Sequence, residues 1–315
     1  MEPAHHPSST HALWPSDGSV PLSVAIVCKD ARCTIARTIR SVQGVAREVI
    51  VLDSGSTDGT LSILHRLGVT VHHQNWLGYI AQKNCALNMC SQPWVLCLDS
   101  DESLEPELRD AVLSALRTND PTIAGYEMNR KVWYQHRYLD HAWQPEWRLR
   151  LVRRGVAEWT GYDPHDSLEL KPRVTTSPEP GSTGILPTRV VRLGGVMRHD
   201  SIESIAVFLA KQCKHGQTAA AALHKRGRKG RVRDLLFSPV NAWLKQMVAR
   251  SAWRDGWRGW LAATAAAIAT ASKHAALIEL SRAGKDAPPT HEASRSAAAP
   301  CGTDDPNHST GWGKR

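Results

Sequence analysis

Trp94-Val95-Leu96-Cys97-Leu98-Asp99-Ser100-Asp101-Glu102 begins with five mostly apolar residues, β-branched and aromatic members among them. This is the composition of a strand buried on both faces of a parallel sheet. Such strands end where polar ligand chemistry begins, and here the polar end is Asp-Ser-Asp. If the backbone stays extended, Asp99 and Asp101 project to one side and can share a hard cation, Mg²⁺ or Mn²⁺, with a diphosphate supplying further oxygens. In a second reading the same acidic residues open a loop and cap a helix beginning near Glu105-Pro106.

The upstream chain bears on that choice. Leu22 to Cys28 is β-rich, Thr34 to Val42 places Ile35, Ile39 and Val42 at helical spacing, and Glu48 to Leu52 is a second buried strand. Strand, helix and strand within about thirty residues make a βαβ unit on a parallel sheet. The second strand empties into Asp53-Ser54-Gly55-Ser56-Thr57-Asp58-Gly59-Thr60, a loop of small hydroxyl residues and glycines able to wrap closely on a ligand. Thr57 or Asp58 can N-cap the next helix, Leu61 to Leu67. Any βα loop of a doubly wound sheet has this texture, but Asp53 and Asp99 both end strands at the edge where open α/β sheets bind ligands. A short strand (Val69 to Val71) and a helix (Gly78 to Met89) follow, and the helix carries Lys83, either a point charge for phosphate or a solvated surface residue.

Downstream, Pro106 to Leu116 is an amphipathic helix with Leu108, Val112, Leu113 and Leu116 on one face. From Gly125 the texture changes to short strands and aromatic loops, and six of the twelve tryptophans lie between Trp76 and Trp159. Aromatic faces beside Arg and His suit a sugar cleft or a core equally well. Arg148 and Arg150, two apart on one strand face, hold phosphate or are ordinary surface arginines. Pro172 to Pro187 is a loop, and His199-Asp200-Ser201 opens a helix running to about His224.

The net charge of +9 is local. Ile205 to Arg258 holds twelve basic residues against Asp234 and Asp255, and the rest of the chain is near neutral. Six of those cations lie in Lys225 to Arg233, and tryptophans alternate with Lys and Arg beyond it, a pattern that fits the plane of a membrane interface better than a nucleic-acid groove. Ala262 to Ala276 is helical by propensity but weakly apolar for a span, and no charge-free run of eighteen strongly apolar residues occurs. Seven cysteines without CxxC spacing read as reduced core residues of a cytosolic protein, and no secretory signal is visible.

In order along the chain, "LSVAIVCKD", "EVIVLDSGSTDGT", "QKNCALN" and "WVLCLDSDE" resemble the inverting glycosyltransferases of family 2, with the GT-A fold. "HAWQPEWRLRLVRRG", "YDPHDSLEL" and "VMRHDSIES" resemble the subgroup that adds glucose or a related hexose to the lipopolysaccharide inner core. The resemblance implies a Rossmann-like, mostly parallel sheet flanked by helices over residues 21–200 and a basic helical extension over 201–284, and the composition of 1–20 and 285–315 reads as disordered ends. It implies a nucleotide-sugar donor, uridine-linked, with Asp53 near the base or ribose. Ser54, Gly55, Asp58, Lys83, Asp99, Arg148 and Arg150 would also lie on the donor, and Asp99 and Asp101 on the Mg²⁺ or Mn²⁺ ion. The base that deprotonates the acceptor hydroxyl falls on Asp166, beside His165, where the subgroup more often has His-Glu; Asp163 is the neighbouring alternative. The acceptor is then a lipopolysaccharide core or related glycolipid, met on the inner face of the cytoplasmic membrane, with no nucleic-acid partner. Two other readings are a polyprenyl-phosphate sugar synthase and a non-catalytic binding protein for membrane or nucleic acid.

Overall fold

The computed structural model describes residues 19–162, 165–171 and 188–286. The leader, the loop after Pro172, Asp163 and the tail beyond Asp286 lie outside the described residues. The first half is the expected alternation: β1 (Val20–Cys28), α1 (Ile35–Val42), β2 (Ala46–Asp53), α2 (Thr60–Arg66), β3 (Thr70–His73), α3 (Tyr79–Met89) and β4 (Trp94–Asp99). β3, β2, β1 and β4 lie side by side and parallel, with Cys28 level with Asp53 and Val27 level with Asp99. The register therefore brings the polar ends of β2 and β4 to one edge, flanking β1.

Beyond β4 the sheet is mixed. Its further members are β5 (Glu102–Leu104), β6 (Ile123–Tyr134), β7 (Arg137–Tyr138), β8 (Trp147–Arg153) and, after the hairpin β9 (Ala157–Tyr162) and β10 (His165–Leu170), β11 (Arg189–His199). The order continues β4-β8-β6-β11-β5: β8 is antiparallel to β4 and β6, β11 is parallel to β6, and β5 is antiparallel to β11. The result is a GT-A-type architecture, a mixed sheet between helices.

Period-two alternation splits the core across the sheet. Val24 and Ile26 face Ile35 and Ile39 of α1 and Leu108 and Val112 of α4 (Pro106–Thr118), whereas Ala25 joins Leu52, Cys97 and Val95 under Ala86 and Leu87 of α3 and Trp159 of the hairpin. Gly195 lies at φ +88°, and a Cβ there would strike the backbone of Leu108, so α4 rests on β11 only because that residue is glycine.

Two expectations are corrected. The chain does not stay extended from Asp99 to Asp101: it turns at Ser100-Asp101 and resumes as β5 on the far edge, so the two carboxylates meet different partners. His199 does not open a helix but ends β11, because Arg189–His199 pairs with β6 and β5; the helix starts at Ile205, capped by Ser204, whose Oγ accepts from the Val207 amide at 3.3 Å.

The C-terminal part comprises α5 (Ile205–Lys225), α6 (Val232–Leu244), a π-helical turn (Lys245–Ala249), a 3₁₀ turn (Ala252–Asp255) and α7 (Trp257–Asp286). It shares a core with the end of β6: Val132, Tyr134, Leu139 and Ala142 pack with Phe208, Met247 and the fully buried Ala262, Ala263 and Ala265. Asp255 clamps the joint, accepting from the amides of Asp140, His141 and Ala142 at 3.1, 3.0 and 2.7 Å. By length and composition α7 is able to cross a membrane, its most apolar eighteen-residue window within Trp257–Ala283 having mean hydropathy 1.3, which Ala262 to Ala276 alone leaves uncommitted.

Candidate active site

The loop after β2 is built around Asp53, which is almost wholly buried. Its Oδ2 accepts from the amides of Gly55 (2.8 Å) and Ser56 (2.9 Å), and its Oδ1 from the Ser56 hydroxyl and the Cys28 thiol. Burial alone would raise the Asp53 pKa, but these donors hold it below the ordinary value. The same burial, with the neighbouring Asp53 charge, pushes the Cys28 thiol far up. Asp58 is likewise engaged, accepting from the amides of Thr60 (3.0 Å) and Arg32 (2.9 Å), but the N-cap of α2 is Gly59, so neither Thr57 nor Asp58 takes the expected capping position. Asp30, at φ +49°, accepts from the Thr57 amide at 2.8 Å, and Gln82 of α3 donates to the Ser54 hydroxyl at 2.9 Å. These bonds lock the loops after β1 and β2 together, so this edge of the sheet is preformed by backbone geometry more than by free carboxylates.

The second half of the site is a chain of ion pairs. Lys83 is buried, with Nζ 2.7 Å from Asp99 Oδ1 and 2.7 Å from Asp166 Oδ2, and it lies 4.3 Å from the centre of the Trp159 ring. Arg150, also buried, donates to Asp99 Oδ2 at 3.2 Å and holds both oxygens of Glu102, at 2.7 and 3.1 Å. Arg130 joins Glu102 (3.0 Å) to Glu146 (2.7 Å), and Arg148 ends the chain on Glu146 at 2.7 Å. Burial alone would raise the Asp99 pKa; Lys83 and then Arg150 outweigh it and hold the carboxyl far below the usual range. Lys83 and Arg150 are pushed up in turn, their carboxylates outweighing the opposing effect of burial. Neither is the solvated residue of the bland reading. The expected phosphate-binding pair divides: Arg150 is enclosed, and Arg148 is partly exposed and tied to Glu146.

Asp101 stands apart from this chain. Its Oδ2 lies 3.4 Å from His199 Nε2, and Thr38 holds the turn by donating to the Ser100 carbonyl at 3.0 Å. Against burial, His199 keeps the Asp101 carboxyl below its ordinary pKa. Two hard or borderline donors side by side can accept a divalent cation, but among the described residues no group of three or more His, Cys, Asp or Glu converges on one point. A cation here would need oxygens from a ligand.

Asp166 sits on β10 opposite Gly161, and the hairpin swings it over the sheet edge to Lys83. His165 starts the same strand opposite Tyr162, and Asp163 lies outside the described residues. Sequence reasoning missed Asp30, Gln82, Glu102, Arg130, Glu146, Trp159 and His199. One signal was legible: Glu146 stands just before a strand on which Arg148 and Arg150 alternate, and charges of both signs at a strand with a buried face imply internal pairing.

On the far side of α3 a cleft of about 710 Å³ separates Leu77, Ile80, Ala81 and Asn84 from Lys225 and Arg226 at the end of α5.

Residues 23–166 match the family model for glycosyl transferase family 2. The lipopolysaccharide core biosynthesis glycosyltransferase LpsC of Rhizobium meliloti (strain 1021) is 28% identical over 254 residues, covering 79% of this chain and 88% of that protein. An uncharacterized glycosyltransferase of Rickettsia typhi is 30% identical over 266 residues, covering 82% of this chain and 87% of that one. Among solved structures, the mannosyltransferase PcManGT from Pyrobaculum calidifontis, in complex with GDP-Man and Mn²⁺, is similar at 16% identity and a TM-score of 0.44, covering 82% of this chain and 87% of that chain. With a family 2 model over its sheet-forming half and a 30%-identical glycosyltransferase aligned over most of its length, this chain belongs to glycosyltransferase family 2.

Proposed function

We propose that this glycosyltransferase moves a hexose, glucose from UDP-glucose, with inversion onto a lipopolysaccharide core or similar glycolipid acceptor. The observation that carries the chemistry is the Lys83 junction, which holds Asp166 beside Asp99 at the sheet edge. Inversion by one displacement needs a base near the acceptor hydroxyl and charge compensation near the leaving diphosphate, and the junction brings a candidate for each to one place. Asp166 takes the hydroxyl proton on Oδ1, its Oδ2 being turned to Lys83. Lys83 places a positive charge where the diphosphate would lie, and Trp159 covers the ammonium, excluding water from that side.

Asp101 and Asp99 are the carboxylates proposed to face a divalent cation, with His199 beside Asp101. Because the described protein ligands are too few to form a cage alone, the ion would be held jointly with the diphosphate. When bound, it would offset charge on the leaving group by Lewis-acid action. LpsC, by its name a lipopolysaccharide core enzyme, supports the acceptor class.

The test is thermal stabilisation by UDP-, GDP- and dTDP-hexoses with and without Mn²⁺, since a ligand that binds only the folded state raises the melting point. Transfer of labelled hexose to purified lipopolysaccharide core should follow. A UDP-hexose should stabilise only with metal present, and no stabilisation by any nucleotide sugar would refute the donor assignment.

A further inference from the structure

We propose that the outer face of α6, continued by Trp253, Trp257 and Trp260, docks in the plane of an anionic lipid bilayer. α6 contains Val232, Leu235, Leu236, Phe237, Val240, Trp243 and Leu244, yet among the described residues it has no fully buried side chain. Leu236, Phe237 and Val240 are 62%, 67% and 55% exposed. Leu236, Val240 and Leu244 follow one another at four-residue spacing, so they form one stripe along the helix. Val248, Trp253, Trp257 and Trp260 follow in sequence and are exposed, and the Trp260 ring meets Trp243 of α6 at 5.4 Å. An exposed apolar stripe of this kind on a folded domain marks an interaction site.

Charge selects the occupant. Arg228, Lys229, Arg231 and Arg233 precede or begin the stripe, and Lys245, Arg250, Arg254 and Arg258 follow it. The acidic residues of the segment offset little of this charge: Asp255 is spent on the amides of 140–142, and Asp234 pairs with Arg233 alone, at 3.6 Å. Aliphatic residues flanked by cations and indoles match an interface with apolar chains beneath and anionic headgroups around. A second copy of this chain would bring the same cations face to face, a like-charge contact that disfavours dimerisation. α7, though long enough to cross, has Ala262, Ala263 and Ala265 enclosed in the protein core, and Gly216 lets α5 approach so closely that a Cβ would meet the Ala269 carbonyl. The helix is therefore committed to protein contacts along its first half, and α6 is the element left to meet lipid. Lys225 and Arg226, at the head of the basic turn, also line the cleft against α3, so the docked surface adjoins an opening toward the catalytic half.

The experiment is flotation of the full chain with vesicles of phosphatidylcholine alone or mixed equally with phosphatidylglycerol, at low and high salt. Because it reads binding without turnover, it stands or falls separately from the transfer reaction. The wild type should float with the anionic vesicles at low salt and only weakly with the neutral ones. Leu236→Ser combined with Phe237→Ser should lower partition about ten-fold or more. Arg228→Glu combined with Lys229→Glu should lower it at least about 10²-fold, each cation being worth a factor of about five at an anionic surface. Both pairs are exposed, so their melting curves should match wild type, and brominated lipid should quench tryptophan fluorescence in wild type alone. Three outcomes would each overturn the proposal: no flotation with anionic vesicles at low salt, a dimer in sedimentation velocity that Phe237→Ser dissociates, or retention in membranes after alkaline carbonate washing, which would show that α7 crosses.

Discussion

Lys83 on α3 and Asp166 on β10, 83 residues apart in sequence, meet at 2.7 Å over the edge of the sheet. The ammonium also faces Asp99 at 2.7 Å, so one cation separates two carboxylates that come from different sheets. Replacing it removes the charge that allows them to share the space. Lys83→Met should therefore lose transfer and also lose about 3 kcal/mol of stability, the scale of an uncompensated buried charge. Adding Asp166→Asn should recover part of that stability without activity. Urea unfolding of the single and double variants checks it, and additivity of the two changes would argue against coupling.

Asp166→Asn on its own should leave donor-induced stabilisation near wild type and lower the transfer rate by about 10² to 10⁴, the range for losing a positioned base. Asp163→Asn should be mild. Single-turnover transfer measured beside donor binding separates the two effects, and the reverse ranking of the variants would move the base to Asp163.

Asp101→Asn should weaken Mn²⁺ uptake in the presence of UDP, read by the loss of the free-ion signal in electron paramagnetic resonance, and should remove the metal-dependent part of donor stabilisation. The carboxamide fits sterically but brings no charge. Asp99→Asn should also abolish transfer while leaving Lys83 to pair with Asp166. Undiminished Mn²⁺ uptake by Asp101→Asn would exclude it as a ligand.

Glu102 is fully buried between Arg150 and Arg130. Glu102→Gln leaves two buried guanidinium groups short of an anion, so the variant should lose about 3 kcal/mol and melt lower at neutral pH. Chemical denaturation gives the value, and a variant as stable as wild type would show that Asp99 and Glu146 suffice to neutralise both arginines.

Acid should unfold the protein through the same chain. Burial alone would raise Glu146, but the hydrogen bonds and charge of Arg130, followed by those of Arg148, lower it from 4.5 to about 2. A depressed folded-state pKa means that the folded protein binds fewer protons than the unfolded chain. The stability from Glu146 is then present above about pH 4.5 and is lost as pH falls toward 2, up to about 3 kcal/mol from this residue. Glu146→Gln should be less stable at neutral pH and should show a shallower decline of melting temperature over that window.

The sequence by itself determined the parallel half of the sheet and the edge on which the chemistry sits. Runs such as Val24 to Cys28 and Val49 to Leu52 are apolar on both faces, and only a strand covered on both sides buries them. The polar residues that end β2 and β4 follow from strand length alone. Only the tertiary structure decided what those residues face. Local pattern cannot show that the chain turns at Ser100, which sends Asp99 to Lys83 and Arg150 and Asp101 to His199, because the turn is set by β5 pairing with a strand more than ninety residues later. Local pattern also cannot distinguish a buried Lys83 from an exposed one, since the carboxylates that make its burial tolerable arrive from β4 and β10. The same holds for α6: its apolar residues alone suggest a core helix, but α6 packs against α7 by one side only, and Leu236, Phe237 and Val240 lie on the side left exposed. Ion pairing and helix packing act between segments distant in the chain, whereas hydrophobic periodicity acts within one segment and is therefore the part that a sequence displays.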